Sequence, residues 1–186
     1  MTIGLIVILT AINIAGLRSG AGLGKALFYM ITAGLLIIVV FGLTSPQAAA
    51  PSAISNEALP SKHVNVSVFF TAMLSAFWAY QGWSSVGFIG GEIKNANKNI
   101  PRGIILGTIL VVIIYLLVNF TYLSLLSVSD LVRINDSGNQ IAGVEAVRTF
   151  WGSGGALFIS VLIILSTLGC TNASILTGAR TYYAMA

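Results

Sequence analysis

The chain has 186 residues, 56% of them apolar and 8% charged, with nine Lys/Arg, five Asp/Glu and a net charge of +4. Ordinary soluble domains run at about 45–50% apolar and about 25% charged, so these charges are too few to coat a globule; a soluble enzyme, a disordered tail and a disulfide-stapled secreted domain are excluded. The single Cys170 permits no internal bridge and supplies no metal cluster, and the cations are scattered between apolar runs, so the positive balance is not a nucleic-acid signal.

A helix that crosses the roughly 30 Å hydrocarbon core of a bilayer needs about 20 mostly apolar residues. Residues 3–15 form an apolar run too short to cross alone. Without a basic n-region they do not read as a signal peptide, and residues 1–15 are expected to be the back half of a helix that begins upstream. Charge-free stretches follow at 26–43, 64–91, 103–129 and 149–179, the last with a span at 154–179. Residues 16–25 and 92–102 are predicted connections on one side, with the C-terminal end. They carry Arg18, Lys25, Lys94, Lys98, Arg102 and Arg180, against Lys62, Arg133 and Arg148 in the connections 44–65 and 128–150. The positive-inside rule puts the first set in the cytoplasm.

The connection 44–65 holds three of the four prolines and reads as irregular. Within 128–150, Asn135 to Asn139 read as a turn and Gly143 to Arg148 as a short surface helix. Pro101 is expected in the first turn of the following helix, where its missing N–H costs nothing. Asn65-Val66-Ser67 and Asn135-Asp136-Ser137 are sequons in outer connections, informative only if the host glycosylates. The abrupt end at Arg180 to Ala186, with no cap or tail, gives the expectation of an internal piece of a longer, multi-pass, all-α integral membrane protein.

Segment 64–91 is longer than one crossing requires, and its middle reads Ala76-Phe77-Trp78-Ala79-Tyr80-Gln81-Gly82-Trp83-Ser84-Ser85. Irregular backbone inside a membrane is tolerated only where it lines a protein cavity, and transporters use helices broken near the midplane to bind solutes. Gly82 relaxes helical dihedrals, Gln81 and the serines can bind freed backbone groups, and Trp78, Tyr80 and Trp83 lie away from the interfacial belt. A span broken near 78–83 is one reading. A plain helix with Gly82 as a packing position is the other, and composition leaves both open.

Along 154–179, Ser166, Cys170, Ser174 and Thr177 recur on one helical face with Thr167 and Thr171 beside them. This small, weakly polar face either lines a solute pathway or packs closely against another helix. Asn172 projects from nearly the opposite side, toward a neighbouring helix. No Asp or Glu lies inside a span, which leaves no intramembrane proton carboxylate. The lone His63 stands in a connection, and neither an HExxH, a Walker loop nor a nucleophile elbow is present. No metal or cofactor is called for, and a membrane enzyme is not expected.

Trp78-Ala79-Tyr80-Gln81-Gly82-Trp83, followed by Gly91-Glu92-Ile93-Lys94-Asn95 and Asn99-Ile100-Pro101-Arg102, resembles the L-type amino acid transporter branch of the amino acid–polyamine–organocation (APC) superfamily. Ala96 stands where that family usually has proline. Ile12-Asn13 with Leu17 to Ala21, and Leu168-Gly169 through Ser174 to Arg180, extend the likeness over essentially the whole chain. The resemblance implies the end of helix 4 through helix 8 of a twelve-helix, five-plus-five inverted-repeat transporter in the plasma membrane. Its partners would be an amino acid substrate, the lipid bilayer and the remaining helices, with no nucleic acid. It implies that backbone carbonyls around Trp78, Ala79 and Gln81 receive the substrate amine and that Trp78 is a gating aromatic. Trp83 and Ser84 would shape the second half-helix, and Cys170 and Ser174 would face the side-chain pocket.

Phe77, Tyr80, Gly82 and Thr171 complete the candidate substrate-binding set. The lysine many relatives carry in helix 5 falls on Ile31, and Lys25 reads as a cytoplasmic-end cation, which leaves the choice between symport, exchange and facilitated diffusion open. The expected function is transport of neutral amino acids by alternating access, as a secondary transporter or exchanger. The rival is a truncated or structural membrane subunit that does not transport by itself. A channel is disfavoured because neither a charge ring nor a carbonyl-rich filter motif is present.

Overall fold

The computed structural model describes residues 2–14, 16–46, 48, 66–138 and 140–185. Most of the predicted connection 44–65, including Lys62, His63 and Asn65, lies outside the described residues. The described chain is all helical: α1 (Thr2–Ile14), α2 (Leu17–Thr44), α3 (Val66–Ala79), a 3-10 helix (Trp83–Glu92), α4 (Ala96–Leu125), α5 (Val128–Ser137) and α6 (Ala142–Met185). Three stretches are long and apolar enough to cross a membrane, Ser19–Thr44, Ala96–Leu125 and Ala142–Tyr182.

The helices group into two compact units. The first holds α1, α2, α4 from Ile114 onward, α5 and α6 up to Leu176. The second holds α3, the 3-10 helix, α4 up to Ile113 and the end of α6 from Thr177.

In the first unit, α1 and α2 are separated by an elbow at Gly16, whose φ of 127° suits a residue without a side chain. The predicted connection 16–25 is therefore corrected. Leu17 to Lys25 are the first turns of α2, entered through bonds from the Ser19 and Gly20 N–H groups to Gly16 O. The glycines and cations that resembled a loop are accommodated in a helix. The core of this unit is Ile38 on α2 against Val147, Ile159 and Leu162 on α6, with Phe150, Trp151 and Phe158 around it. Phe41 and Trp151 bring their ring centroids to 5.2 Å, and Trp151 meets Phe158 edge-on at 5.3 Å. Helices come this close because Gly34 leaves no Cβ to strike Leu162, and Gly42 none to strike Thr121.

The region 128–150 also differs from expectation. Asn135 to Ser137 end helix α5 rather than forming a turn, and Gly138 with φ 64° is the C-cap. The start of α5 carries a reciprocal cap: the Asp130 N–H donates to Ser127 Oγ at 3.1 Å, and the Ser127 N–H donates to Asp130 Oδ2 at 3.4 Å. The Ser127 hydroxyl also donates to Asp130 Oδ2 at 2.7 Å. This bond first, then the backbone bond and the Arg133 guanidinium, holds the Asp130 carboxyl below its ordinary value despite some desolvation. The segment Gly143 to Arg148 is helical but not a free surface helix. It is the first part of α6, with Ala146 and Val147 fully buried, and α6 bends at Gly152 (φ 58°, ψ −140°) before its long apolar part.

In the second unit, α4 begins five residues before Pro101 instead of at it. Asn95, in the left-handed region at φ 51°, accepts from the Lys98 and Asn99 N–H groups, and Asn99 Nδ2 donates to Lys94 O at 2.6 Å. These bonds start the helix early, and Pro101 then removes one N–H that would have paired with Asn97 O. The pair Arg180–Glu92 at 2.9 Å joins the end of α6 to the end of the 3-10 helix.

Candidate functional site

The segment from Val66 to Glu92 is not one continuous helix. Phe77, Trp78 and Ala79 end α3; Tyr80, Gln81 and Gly82 form a turn; Trp83 and Ser84 open the 3-10 helix. Across the break the i→i−4 ladder gives way to tighter bonds, from the Tyr80 N–H to Phe77 O at 3.2 Å, the Gln81 N–H to Trp78 O at 3.3 Å and the Ser85 N–H to Gly82 O at 3.0 Å. Gly82 sits at φ 108°, ψ −13°, a conformation that an L side chain adopts only under strain. A carbonyl oxygen has two lone pairs, so Trp78 O keeps acceptor capacity beyond its turn bond.

At about 1.5 Å per residue for α3 and about 2.0 Å for the 3-10 helix, the two halves together are long enough for a bilayer crossing, though neither spans it alone. Phe77, Trp78, Tyr80, Gln81 and Trp83 line an open cleft of about 390 Å³ at the break, within the size range of small-ligand sites. Its walls are mostly aromatic, Gln81 and the Tyr80 hydroxyl add neutral polar groups, and Trp78 is 79% exposed. Such a cleft offers π faces and backbone dipoles to a small solute without a net charge.

Cys170, Thr171 and Ser174 belong to the first unit, on α6, and Phe77 to Ser84 to the second. Cys170 is exposed and, with Ser166, lines a groove of about 310 Å³ against α2, to which Gly20, Gly24 and Ile31 also contribute. The hydroxyls of Thr171 and Ser174 bond within their own helix. Ser174 Oγ donates to Cys170 O at 2.9 Å, and Thr171 Oγ1 donates to Thr167 O at 2.8 Å. Asn172 reaches two other helices, through Asn13 on α1 and Gly20 O on α2. Among the described residues, no group of three or more His, Cys, Asp or Glu could hold a metal ion.

The role of Asn13 and the Ser127/Asp130 cap are absent from the sequence reading of functional positions. The Ser-x-x-Asp spacing before Val128 was a usable signal for the cap. For Asn13 the signal was its place in the Ile12-Asn13 match to the family resemblance, which says nothing of a partner on another helix.

Comparisons with known proteins cover the same ground. The sequence model of the amino acid permease family matches residues 1–186. The chain is 35% identical over 99% of its length to the serine/threonine exchanger SteT of Bacillus subtilis, of which it covers 40%. It is 24% identical over 96% of its length to the b(0,+)-type amino acid transporter 1 of Oryctolagus cuniculus, of which it covers 35%. Over 64% of its length it is 28% identical to the large neutral amino acids transporter small subunit 2 of the same species, of which it covers 21%. The chain thus spans 40% or less of the length of these relatives. No solved structure matches it at a significant level.

Proposed function

This chain belongs to the amino acid permease family, and from that premise we propose that it is part of a twelve-helix, inverted-repeat transporter that moves neutral amino acids across the plasma membrane by alternating access. The observation that carries the reading is the break at Gly82, with an aromatic cleft of about 390 Å³ around it. A broken span presents backbone carbonyls and N–H groups to a solute at a depth where an unbroken helix offers none. A zwitterion needs partners for its charged backbone groups, and a cleft whose polar side-chain groups are all neutral suits an uncharged side chain. The names of two relatives, a serine/threonine exchanger and a large neutral amino acids transporter, favour the same substrate class. The first also favours exchange as the mode of working.

In this reading the carbonyls near Trp78, Ala79 and Gln81 take the α-amino group, and Trp78 closes over the bound molecule. Phe77 and Tyr80 form the cleft wall, Gly82 permits the turn, and Trp83 and Ser84 begin the second half-helix. Cys170, Thr171 and Ser174 contact the substrate side chain. Alternating access asks the broken element to change its orientation, and short half-helices joined by a glycine turn can do so with few dihedral changes. The deciding experiment is uptake of labelled serine, threonine and leucine by the full-length protein in proteoliposomes, with Trp78→Ala compared against wild type. Loss of most uptake at unchanged protein abundance is expected. Unchanged uptake and KM in the variant would remove the site from this segment.

A further inference from the structure

Within the first unit, three helices meet through a carboxamide pair. Asn172 on α6 is 2% exposed, and its Nδ2 donates to Gly20 O of α2 at 3.0 Å. Its Oδ1 accepts from Asn13 Nδ2 of α1 at 2.9 Å, and the same Asn13 amide donates to Leu9 O at 2.8 Å. Asn13 Oδ1 is buried with no hydrogen-bond partner and faces Gly20, where a Cβ would collide with it. One turn further along α2, a Cβ on Gly24 would lie 3.6 Å from Asn172 Nδ2. Gly20 and Gly24 thus clear a seat for the two carboxamides, on the spacing by which membrane helices approach closely.

Two asparagines are a costly way to fill an apolar seam, because each carboxamide atom taken out of water without a hydrogen bond, as Asn13 Oδ1 is, costs free energy. Alanine or leucine would pack two helices without that cost. What the carboxamides add is direction. A van der Waals seam lets a helix rotate by a fraction of a turn, whereas two hydrogen bonds at Asn172 hold one azimuth. Each residue of α6 is then placed in steps of about 100°. Cys170 and Ser174, two residues to either side of Asn172, take their aim from it.

We propose that Asn172 is a positioning residue for transport: by bonding Asn13 and Gly20 it fixes the rotation of α6 and so where Cys170 and Ser174 stand relative to the substrate side chain. Its link to substrate rests on the permease reading; its control of helix rotation does not. Asn172 touches no substrate in this scheme.

The test uses the full-length transporter with Cys170 as its sole cysteine, reconstituted in proteoliposomes, and the variants Asn172→Ala, Asn13→Ala and Asn172→Gln. Two quantities are read: the rate at which N-ethylmaleimide modifies Cys170, and KM and kcat for labelled serine. Thiol modification follows access and local environment, so Asn172→Ala is expected to change the Cys170 rate by about threefold or more. KM should rise by about three- to tenfold with kcat within about twofold, as for a binding group moved out of place. Asn13→Ala removes one arm of the pair and should shift both in the same direction by less, and Asn172→Gln should restore part of each. Unchanged Cys170 modification and unchanged KM, with only thermal stability lowered, would reduce the pair to packing and overturn the proposal. Should Asn172→Ala fail to accumulate, Asn13→Ala decides by the same two readouts. If the protein with Asn172 in place carries no amino acid, yet Asn172→Ala still changes Cys170 modification, the permease reading is overturned and the rotational role stands.

Discussion

In the packing of α2, α4 and α6, Ile38, Val147 and Thr121 are almost wholly buried, whereas every described side chain from Val66 to Ser84 is exposed. The first region is closed by glycines that let side chains of neighbouring helices approach, at Gly34 and Gly42, and by the Asn13–Asn172 pair. In the second, the glycine at the centre, Gly82, has nothing within 4 Å of where its Cβ would be. The same residue type serves contact in one place and backbone freedom in the other. Local stability follows buried contact, so the first region is expected to resist opening more than the second. In the transporter proposed above, the first region would serve as the frame and the second as the element that reorients.

The contrast can be broken most severely from the packed side. Ile38→Ala removes a fully buried side chain and is expected to cost about 2–5 kcal/mol. Thermal unfolding of the full-length protein in detergent checks this, and Trp78→Ala in the same assay should shift stability by within about 0.5 kcal/mol, as exposed substitutions do. A comparable loss at both positions would erase the distinction.

Gly82→Val probes the open side. At φ 108° a branched side chain costs about 1–3 kcal/mol of local strain. With nothing for its Cβ to strike, the expected outcome is a straightened or shifted turn and loss of uptake, with abundance largely kept. Wild-type uptake by that variant would mean that the turn conformation is dispensable.

Ser127→Ala takes away the cap of α5 and is expected to cost about 1 kcal/mol at neutral pH. Asp130 has a folded-state pKa below its ordinary 3.8, so its contribution is present above pH 3.8 and is lost as pH falls through the lower folded value. Stability measured down the acid range should therefore fall less steeply in Ser127→Ala than in wild type. Equal slopes would show that the Ser127 hydroxyl does not set the Asp130 pKa.

The smallest effect belongs to the Arg180–Glu92 pair. Each side chain is 33% exposed, so a double-mutant cycle with Arg180→Ala and Glu92→Ala should give a coupling of about 0–1 kcal/mol that shrinks with added salt. A larger, salt-insensitive coupling would mean that the second unit is held together more firmly than its exposed segment implies.

Much of this architecture was legible in the sequence where the signal was length and apolarity. The stretches 26–43, 103–129 and 154–179 each fall largely within a helix long enough to cross a membrane, because twenty apolar residues in a row have few alternatives. Boundaries were less legible. Leu17 to Lys25 resembled a loop because glycine and cations weigh against helix when neighbours are ignored, yet Gly20 and Gly24 are where Asn172 docks. Pro101 resembled a helix start, but the bonds at Asn95 and Asn99 begin α4 earlier. The break at Gly82 was one of two readings in composition, since a glycine between tryptophans serves a turn or a close packing contact equally well.

By itself, the sequence determined that this is an all-helical membrane-embedding chain and which spans are apolar, and the residues from Trp78 to Arg102 carried the resemblance to its family. Those are local properties, set by side-chain transfer energies and by short runs of residues. Tertiary structure decided which glycines turn and which admit a neighbour, that α2 begins at Leu17, and that Asn13 and Asn172 share a hydrogen bond. The packed glycines and the carboxamide pair depend on partners far away in the chain: a carboxamide or a contact glycine acquires its role only when folding brings its counterpart within reach.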